Sequence, residues 1–174
     1  MTTIMKPAIL ILLFSVLFVS VSYSQSFETD SISKKEISRL NFMTGKWQGK
    51  GWMMGPDRQK AEFEQTENIQ FKLDSTTVLI EGLGVNNGTV IHNAMAIVSY
   101  DKEEGSYNFQ SYLHNGRKGE FKGELIDGKF YWYPNENMRY IIELNEQDQW
   151  FEVGEIRRDN GWFQFFEMTL NRME

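Results

Sequence analysis

Three glutamates in otherwise apolar stretches are the clearest candidates for chemistry in this sequence. Glu81 lies in the run VLIEGLG, Glu155 ends the run FEVGE, and Glu167 follows two phenylalanines. A buried carboxylate is costly unless it is paired. Three arginines are available as partners: Arg139, Arg157 and Arg172. Two interpretations are open: these carboxylates face solvent or form ion pairs inside the barrel that fix strand register, or they form a polar patch that recognises the head group of a ligand.

A histidine and a set of tyrosines form a second group of candidates. His92 shares a strand face with alanines and a valine, so it either contacts a ligand or is a hydrogen-bonded histidine of the core. Tyr112, with other strand tyrosines, either lines a cavity or packs between strands. A tyrosine has an apolar body and a polar tip, which suits an amphipathic ligand.

Several kinds of site are missing from the sequence. There are no cysteines and only two histidines, His92 and His114, and their spacing does not suit zinc. No serine nucleophile elbow, phosphate loop or dinucleotide fingerprint is present. We therefore predict no metal and no cofactor, and we assign no catalytic residue.

Composition and charge define the broad class of protein. The chain has 174 residues, 41% hydrophobic and 14% aromatic, with a formal net charge of −6. This length suits one domain with a sizeable core. The negative charge argues against nucleic acid and anionic membranes as partners.

The N-terminus has the pattern of an export signal. Residues 8–21 form an apolar run after one lysine, and small residues precede Gln25. A run of this length suits a signal peptide and is short for a membrane span. We predict a signal peptide over residues 1–24, no membrane span after cleavage, and a periplasmic or secreted protein. The absence of cysteine excludes a bacterial lipid anchor.

The next elements are a flexible leader over residues 25–33 and a short helix over residues 34–43. Ser33 and Glu36 have the spacing of a capping box. Gly45 follows the predicted helix end, where glycine is favoured.

From there on, apolar and polar residues alternate with a period of two, which is typical of strands. About ten short strands follow each other, and several are separated by dipeptides that favour tight hairpins. These are Asn87-Gly88, Asn115-Gly116, Asp127-Gly128 and Asn160-Gly161. The pattern predicts an all-β fold, a single closed antiparallel up-and-down barrel over residues 34–174, because closure removes exposed sheet edges.

The first strand carries a resemblance to a known class of protein. The pattern Gly45-x-Trp47-x-Gly49-x-Gly51 after a short helix resembles the calycin barrels, which include lipocalins, fatty-acid-binding proteins and the nitrobindin-like group. The segments VLIEGLG, VIHNAMAIVSYD and WFEVGEIRRDNGWFQFFEMTLNR are similar to a family of bacterial lipocalin-like domains with no established activity. The resemblance implies the barrel fold, and in such a barrel we expect Trp47 to cover the floor against the helix.

The nitrobindin-like group also implies haem held by a histidine near the C-terminal strands. This chain has no histidine after His114, and Met168 on an apolar strand suits packing better than ligation.

Our leading hypothesis for the function is a protein that binds a small hydrophobic or amphipathic ligand. The predicted ligand-binding residues are Trp47, Glu81, His92, Tyr112, Arg139, Glu155 and Glu167. The alternatives are an enzyme that uses carboxylates or His92, and a filled barrel that acts as a structural or interaction module. Oligomeric state is not predicted.

Overall fold

The computed structural model describes residues 27–174, so the predicted signal peptide over residues 1–24 lies outside the described residues. Helix α1 (Ser31–Ser38) continues into a short 3-10 helix (Arg39–Met43), and ten strands follow. The strands are β1 Gly45–Met54, β2 Lys60–Lys72, β3 Thr77–Asn86, β4 Thr89–Asp101, β5 Ser106–Leu113, β6 Lys118–Ile126, β7 Lys129–Asn135, β8 Met138–Leu144, β9 Trp150–Arg158 and β10 Gly161–Arg172. Among these residues, neither helix has the length or apolar character needed to span a bilayer.

The ten strands form one closed antiparallel barrel. Each strand pairs with the strands before and after it in sequence, and β1 also pairs with β10. At the junction, Gly49 lies opposite Leu170 of β10 and opposite Gln65 of β2. The predicted fold, an up-and-down barrel of about ten strands with a short N-terminal helix, is confirmed.

Two of the predicted hairpin dipeptides have both residues in the left-handed region. The φ angles are 47° and 78° at Asn87 and Gly88, and 50° and 80° at Asp127 and Gly128. Two consecutive positive φ angles belong to the type I′ turn, whose twist matches that of the flanking strands. The turns therefore specify strand order and register locally.

The predicted start of the helix is wrong by one turn. The helix begins at Ser31, and the carboxylate of Asp30 caps it by accepting hydrogen bonds from the backbone amides of Ile32 (3.0 Å) and Ser33 (2.9 Å). Ser33 therefore lies inside the first turn. Aspartate and serine are both good caps, and Asp30 occupies the position from which two free amides can be reached.

The helices close one end of the barrel, which we call the closed end. The side chains of Ile37, Leu40 and Met43 are fully buried there against Trp47. The indole Nε1 of Trp47 donates a hydrogen bond to the carbonyl of Met43 at 2.9 Å, and its ring lies 6.0 Å from that of Trp150. Trp47 thus covers the barrel floor, as the sequence predicts.

Polar contacts fix the helix over the closed end. The Tyr107 hydroxyl donates to the carbonyl of Glu36 at 3.0 Å, and Lys34 pairs with Asp74 of the β2–β3 turn at 3.0 Å. Burial raises the pKa of Tyr107 to about 12, so the hydroxyl stays a donor at neutral pH. The helix is therefore held by neighbouring strands and turns as well as by its apolar face.

Two glycines of β1 allow the first and last strands to approach closely. A Cβ atom at Gly49 would lie 2.1 Å from the carbonyl oxygen of Thr169 and 2.8 Å from Cα of Leu170. At Gly51 it would lie 2.5 Å from the carbonyl oxygen of Glu167. These neighbours are backbone atoms of β10, which cannot move aside without opening the barrel.

We predict that Gly49→Ala lowers the free energy of unfolding by roughly 3 kcal/mol, because the added methyl group overpacks the β1–β10 junction. Urea denaturation followed by circular dichroism measures the change. The control is Lys50→Ala, which changes an exposed side chain of the same strand and should alter stability by about 0.5 kcal/mol or less. Equal stabilities of the two variants would contradict this account of closure.

Candidate ligand-binding cavity

The barrel encloses a cavity between the closed end and the opposite, open end. Its volume is about 520 Å³, and inward-facing side chains of all ten strands line it. Most of these side chains are apolar or aromatic. The barrel interior is therefore only partly filled by its own side chains.

A stack of aromatic rings forms one wall of the cavity. The ring of Trp132 lies parallel to that of Phe109, with centroids 4.6 Å apart, and to that of Tyr140, with centroids 4.3 Å apart. Phe63 and Phe166 form a second stacked pair at 5.8 Å. Flat rings held by their neighbours give the cavity rigid apolar surfaces.

Polar side chains lie next to the tryptophan floor. On β2, Glu67 lies opposite Trp47 of β1 in the strand register, and Gln65 is the next inward-facing residue. The amide of Gln65 donates to Oε1 of Glu67 at 2.6 Å. Glu67 is only 8% exposed, and its Oε2 atom has no hydrogen-bond partner among the described residues. A buried carboxyl oxygen without a partner is unusual and calls for a ligand, a water molecule or a proton.

A second buried carboxyl group faces the cavity from β9. Glu152 is also 8% exposed, and its Oε2 atom accepts a hydrogen bond from Nε1 of Trp150 at 3.2 Å. We call Gln65, Glu67 and Glu152 the polar cluster. It places two acidic groups among the apolar and aromatic side chains that form most of the cavity lining.

Burial favours the neutral form of both carboxyl groups. It raises the pKa of Glu67 to about 7, although the hydrogen bond from Gln65 offsets part of the rise. Burial and then the charge of Glu67 raise the pKa of Glu152 to about 8, against hydrogen bonds from Trp150 and Trp132. Two like charges in one apolar site repel each other, so the pair loses its protons in separate steps near neutral pH.

Two glycines of β3 make room for the polar cluster. A Cβ atom at Gly82 would lie 2.6 Å from Oε1 and 2.9 Å from Oε2 of Glu67. A Cβ atom at Gly84 would lie 2.6 Å from Oε1 of Gln65. The two glycines of the VLIEGLG segment therefore leave the space that the side chains of Glu67 and Gln65 occupy.

The open end of the cavity carries basic groups. His92 of β4, Arg117 of the β5–β6 turn and Lys118 of β6 all line the cavity. The acidic groups are buried and the basic groups lie nearer solvent, at opposite ends of the cavity.

Of the predicted site residues, His92 is the one that lines the cavity. Trp47 lies in the floor beneath it. Arg139 and Glu155 form an ion pair of 2.7 Å on the outer face, where the guanidinium group also lies 4.1 Å from the ring of Trp162. The sequence left open which strand faces point inward, and the structure places this pair outside the barrel and not in its interior.

The other predicted residues also lie outside the cavity. The exposed Glu81 accepts a hydrogen bond from Asn68 at 2.9 Å. Glu167 accepts one from Gln164 at 2.7 Å, and the Tyr112 side chain is 40% exposed. The structure thus brings Arg139 and Glu155 together but gathers no cluster from the remaining residues.

Sequence reasoning did not select the polar cluster. Its signal was the period-two series Phe63, Gln65, Glu67, Ile69 on β2, in which polar residues occupy two positions of an otherwise apolar face. Glu152 stands in the same relation to Trp150. Polar residues at such positions interrupt the alternation of apolar and polar residues, so they were not assigned to the inward face of the strand.

The described residues do not fit a haem held from the C-terminal strands. Phe166 and Met168 are the β10 side chains that line the cavity, and His92 lines it from β4 near the open end. Within residues 27–174, no three His, Cys, Asp or Glu side chains are grouped so that they could hold a metal ion.

Comparison with known proteins supports the fold. No family model and no curated protein sequence matches the chain. The crystal structure of Rv2717c from M. tuberculosis is similar, with a TM-score of 0.56 over 82% of this chain and 98% of that one. Sequence identity is 10%, so the similarity concerns the fold alone.

The raised pKa values predict a stability that falls with rising pH. In the unfolded chain both glutamates titrate near 4.5. Their contribution to folding is complete below that pH and is lost as the pH rises through about 7 and 8. The loss should be on the order of 3 kcal/mol for Glu67 and on the order of 5 kcal/mol for Glu152. Urea denaturation between pH 5 and pH 9 measures it.

The double variant Glu67→Gln/Glu152→Gln is neutral at both positions and should lack this decline. The difference between the two proteins isolates the buried pair, because Asp30 and Asp74, whose pKa values are lowered by hydrogen bonds, are common to both. The control Glu64→Gln changes an exposed carboxylate of β2. Parallel pH profiles for the wild type and the double variant would contradict the assignment.

Proposed function

We propose that this protein is an exported, lipocalin-like carrier that holds a small amphipathic molecule inside its barrel. The observation that carries the proposal is the cavity itself, in which apolar walls surround a few convergent polar groups. Such a combination is typical of small-molecule sites. The apolar body of the ligand would lie along the aromatic wall, and its polar end would meet the polar cluster.

The size of the cavity supports this proposal. A volume of about 520 Å³ falls within the range of roughly 300–1,000 Å³ that ligand pockets occupy. Burial of apolar surface contributes about 25 cal/mol for each Å², so a ligand of modest size gains most of its affinity from the walls. This open interior weighs against the alternative of a filled barrel that acts only as an interaction module.

Export and the lipocalin-like relationship are parts of the proposal that rest on sequence. The apolar run over residues 8–21 and the small residues before Gln25 support export. The Gly45-x-Trp47 pattern, followed by ten strands in a meander, supports the lipocalin-like relationship. A protein with this interior could take up an apolar compound and shield it from water.

One observation favours a second candidate function, that of an enzyme. Glu67 and Glu152 ionise near neutral pH, which is where a general acid or base works best. Their place at the bottom of an apolar cavity would then make them proton donor and acceptor to a bound substrate. If an activity is found, loss of turnover in Glu67→Gln and Glu152→Gln would support this candidate, and unchanged turnover would reject it.

We predict that the purified protein binds the uncharged apolar dye N-phenyl-1-naphthylamine with enhanced dye fluorescence. The variant Ala94→Phe should weaken this binding about tenfold or more, since Ala94 lines the cavity and the added ring occupies part of its volume. Fluorescence titration gives the dissociation constants.

The matched control is Met95→Phe, one residue further along β4. The Met95 side chain is 38% exposed and belongs to the outer face, so this variant should bind the dye like the wild type. Equal binding by all three proteins would place the dye outside the barrel and argue against the proposed carrier function. A mass spectrum of any compound that co-purifies with the protein would identify the natural ligand.

A further inference from the structure

We propose that the cavity is built for an organic ammonium ion, with the protonated amine held between Glu67 and Glu152 and the apolar body of the ligand along the aromatic wall. This inference rests on the proposed carrier function and names its ligand class. It depends on three features of the cavity: an unpartnered carboxyl oxygen, the absence of a neighbouring cation, and aromatic walls.

The first feature is the incomplete hydrogen bonding of the acidic pair. Gln65 donates one hydrogen bond to Oε1 of Glu67, whereas Glu152 accepts hydrogen bonds from Trp150 and Trp132. Oε2 of Glu67 is buried and lacks a partner within the described part of the chain. An ammonium group has up to three N–H donors and no acceptor, so it supplies what this oxygen lacks.

The second feature is the charge around the pair. The basic groups that line the cavity are His92, Arg117 and Lys118, which come from the open end, and none of them forms an ion pair with Glu67 or Glu152 among residues 27–174. Deep in the cavity, the titratable neighbour is Tyr140, whose pKa burial raises, so it is neutral. The acidic pair therefore lacks a built-in counter-ion, and a cationic ligand can provide one.

The third feature is the wall. Rings of Trp132, Tyr140 and Phe63 line the same chamber as the two carboxyl groups. Both faces of the Trp132 ring are covered, by Phe109 and by Tyr140, so the wall offers apolar surface to the body of the ligand and the attraction for its charge comes from the carboxyl groups. A neutral head group gains no comparable attraction from these carboxyl groups, and an anionic one is repelled.

Charge and burial together link binding to protons. Near pH 7 the carboxyl groups of the empty cavity are only partly ionised, because burial raises the pKa of Glu67 to about 7 and that of Glu152 to about 8. An ammonium ion binds to the ionised form, so binding releases protons and the affinity rises with pH between about 6 and 8. His92, Arg117 and Lys118 line the open end of the same cavity, and burial and then the neighbouring His114 lower the pKa of His92.

The test uses three probes with the same apolar body: 2-phenylethylamine, 2-phenylethanol and phenylacetate. Isothermal titration calorimetry of the purified wild-type protein at pH 8 should show the amine binding at least about tenfold more tightly than the alcohol. Phenylacetate should bind most weakly. At pH 6 the preference for the amine should shrink, and titrations in buffers of different ionisation enthalpy should show proton release.

Variants assign the effect to the acidic pair. Glu67→Gln/Glu152→Gln should remove the preference for the amine and the proton release, whereas Glu64→Gln on the exposed face of the same strand should keep both. If the double variant does not fold, the single variants and the comparison of probes on the wild type decide the question.

The outcomes separate this inference from the carrier function. Equal affinity for amine and alcohol, or tighter binding of phenylacetate, would overturn the ammonium proposal. If the amine fails to bind while the dye binds in a manner sensitive to Ala94→Phe, the ligand class is wrong and the carrier function stands. If neither the dye nor any probe enters the barrel, both are wrong.

Discussion

The pairing of the first strand with the last is the constraint on which the rest of this structure depends. Hydrogen bonds between β1 and β10 close the sheet, and they form only because Gly49 and Gly51 present no side chain to the backbone of β10. Closure then determines what lies inside. Once the sheet is closed into a barrel, every second residue of each strand must face the interior. The helix and Trp47 can seal one end because the barrel gives them a fixed rim.

The interior of the barrel contains both a large apolar core, which stabilises the fold, and two buried carboxyl groups, which destabilise it. Aromatic and aliphatic side chains bury a large apolar surface, yet the same layer holds Glu67 and Glu152 where the charged form of a carboxyl group is unfavourable. A barrel selected for stability alone would have apolar residues at these positions, since replacing buried polar groups by apolar ones is often neutral or favourable. Gly82 and Gly84 add no side chains to the core and leave space for the polar cluster. Features that lower stability and accommodate each other are expected at functional sites.

The sequence was sufficient to predict the fold but not the site. Alternation with a period of two and glycine-containing turns are local signals, and they predict the strand order because a meander pairs neighbours in sequence. The helix boundary was less certain, since Asp30 and Ser33 are both good caps and only the packed structure selects between them. The site required knowledge of strand faces. Glu81 in an apolar run attracted attention because of its neighbours, whereas Glu67 lay among polar residues, and only closure of the barrel shows that the first faces solvent and the second faces the cavity.

The hydrogen bond between Trp150 and Glu152 has a spectroscopic consequence. An indole group is a natural fluorophore whose emission responds to the charge of the group that its N–H contacts. Trp150 contacts an ionisable carboxyl group at the bottom of the cavity and lies 6.0 Å from Trp47. The protonation state of the chamber is thereby coupled to the intrinsic light emission of the protein. A change in occupancy could be followed in real time without a label, even when the bound molecule is itself invisible.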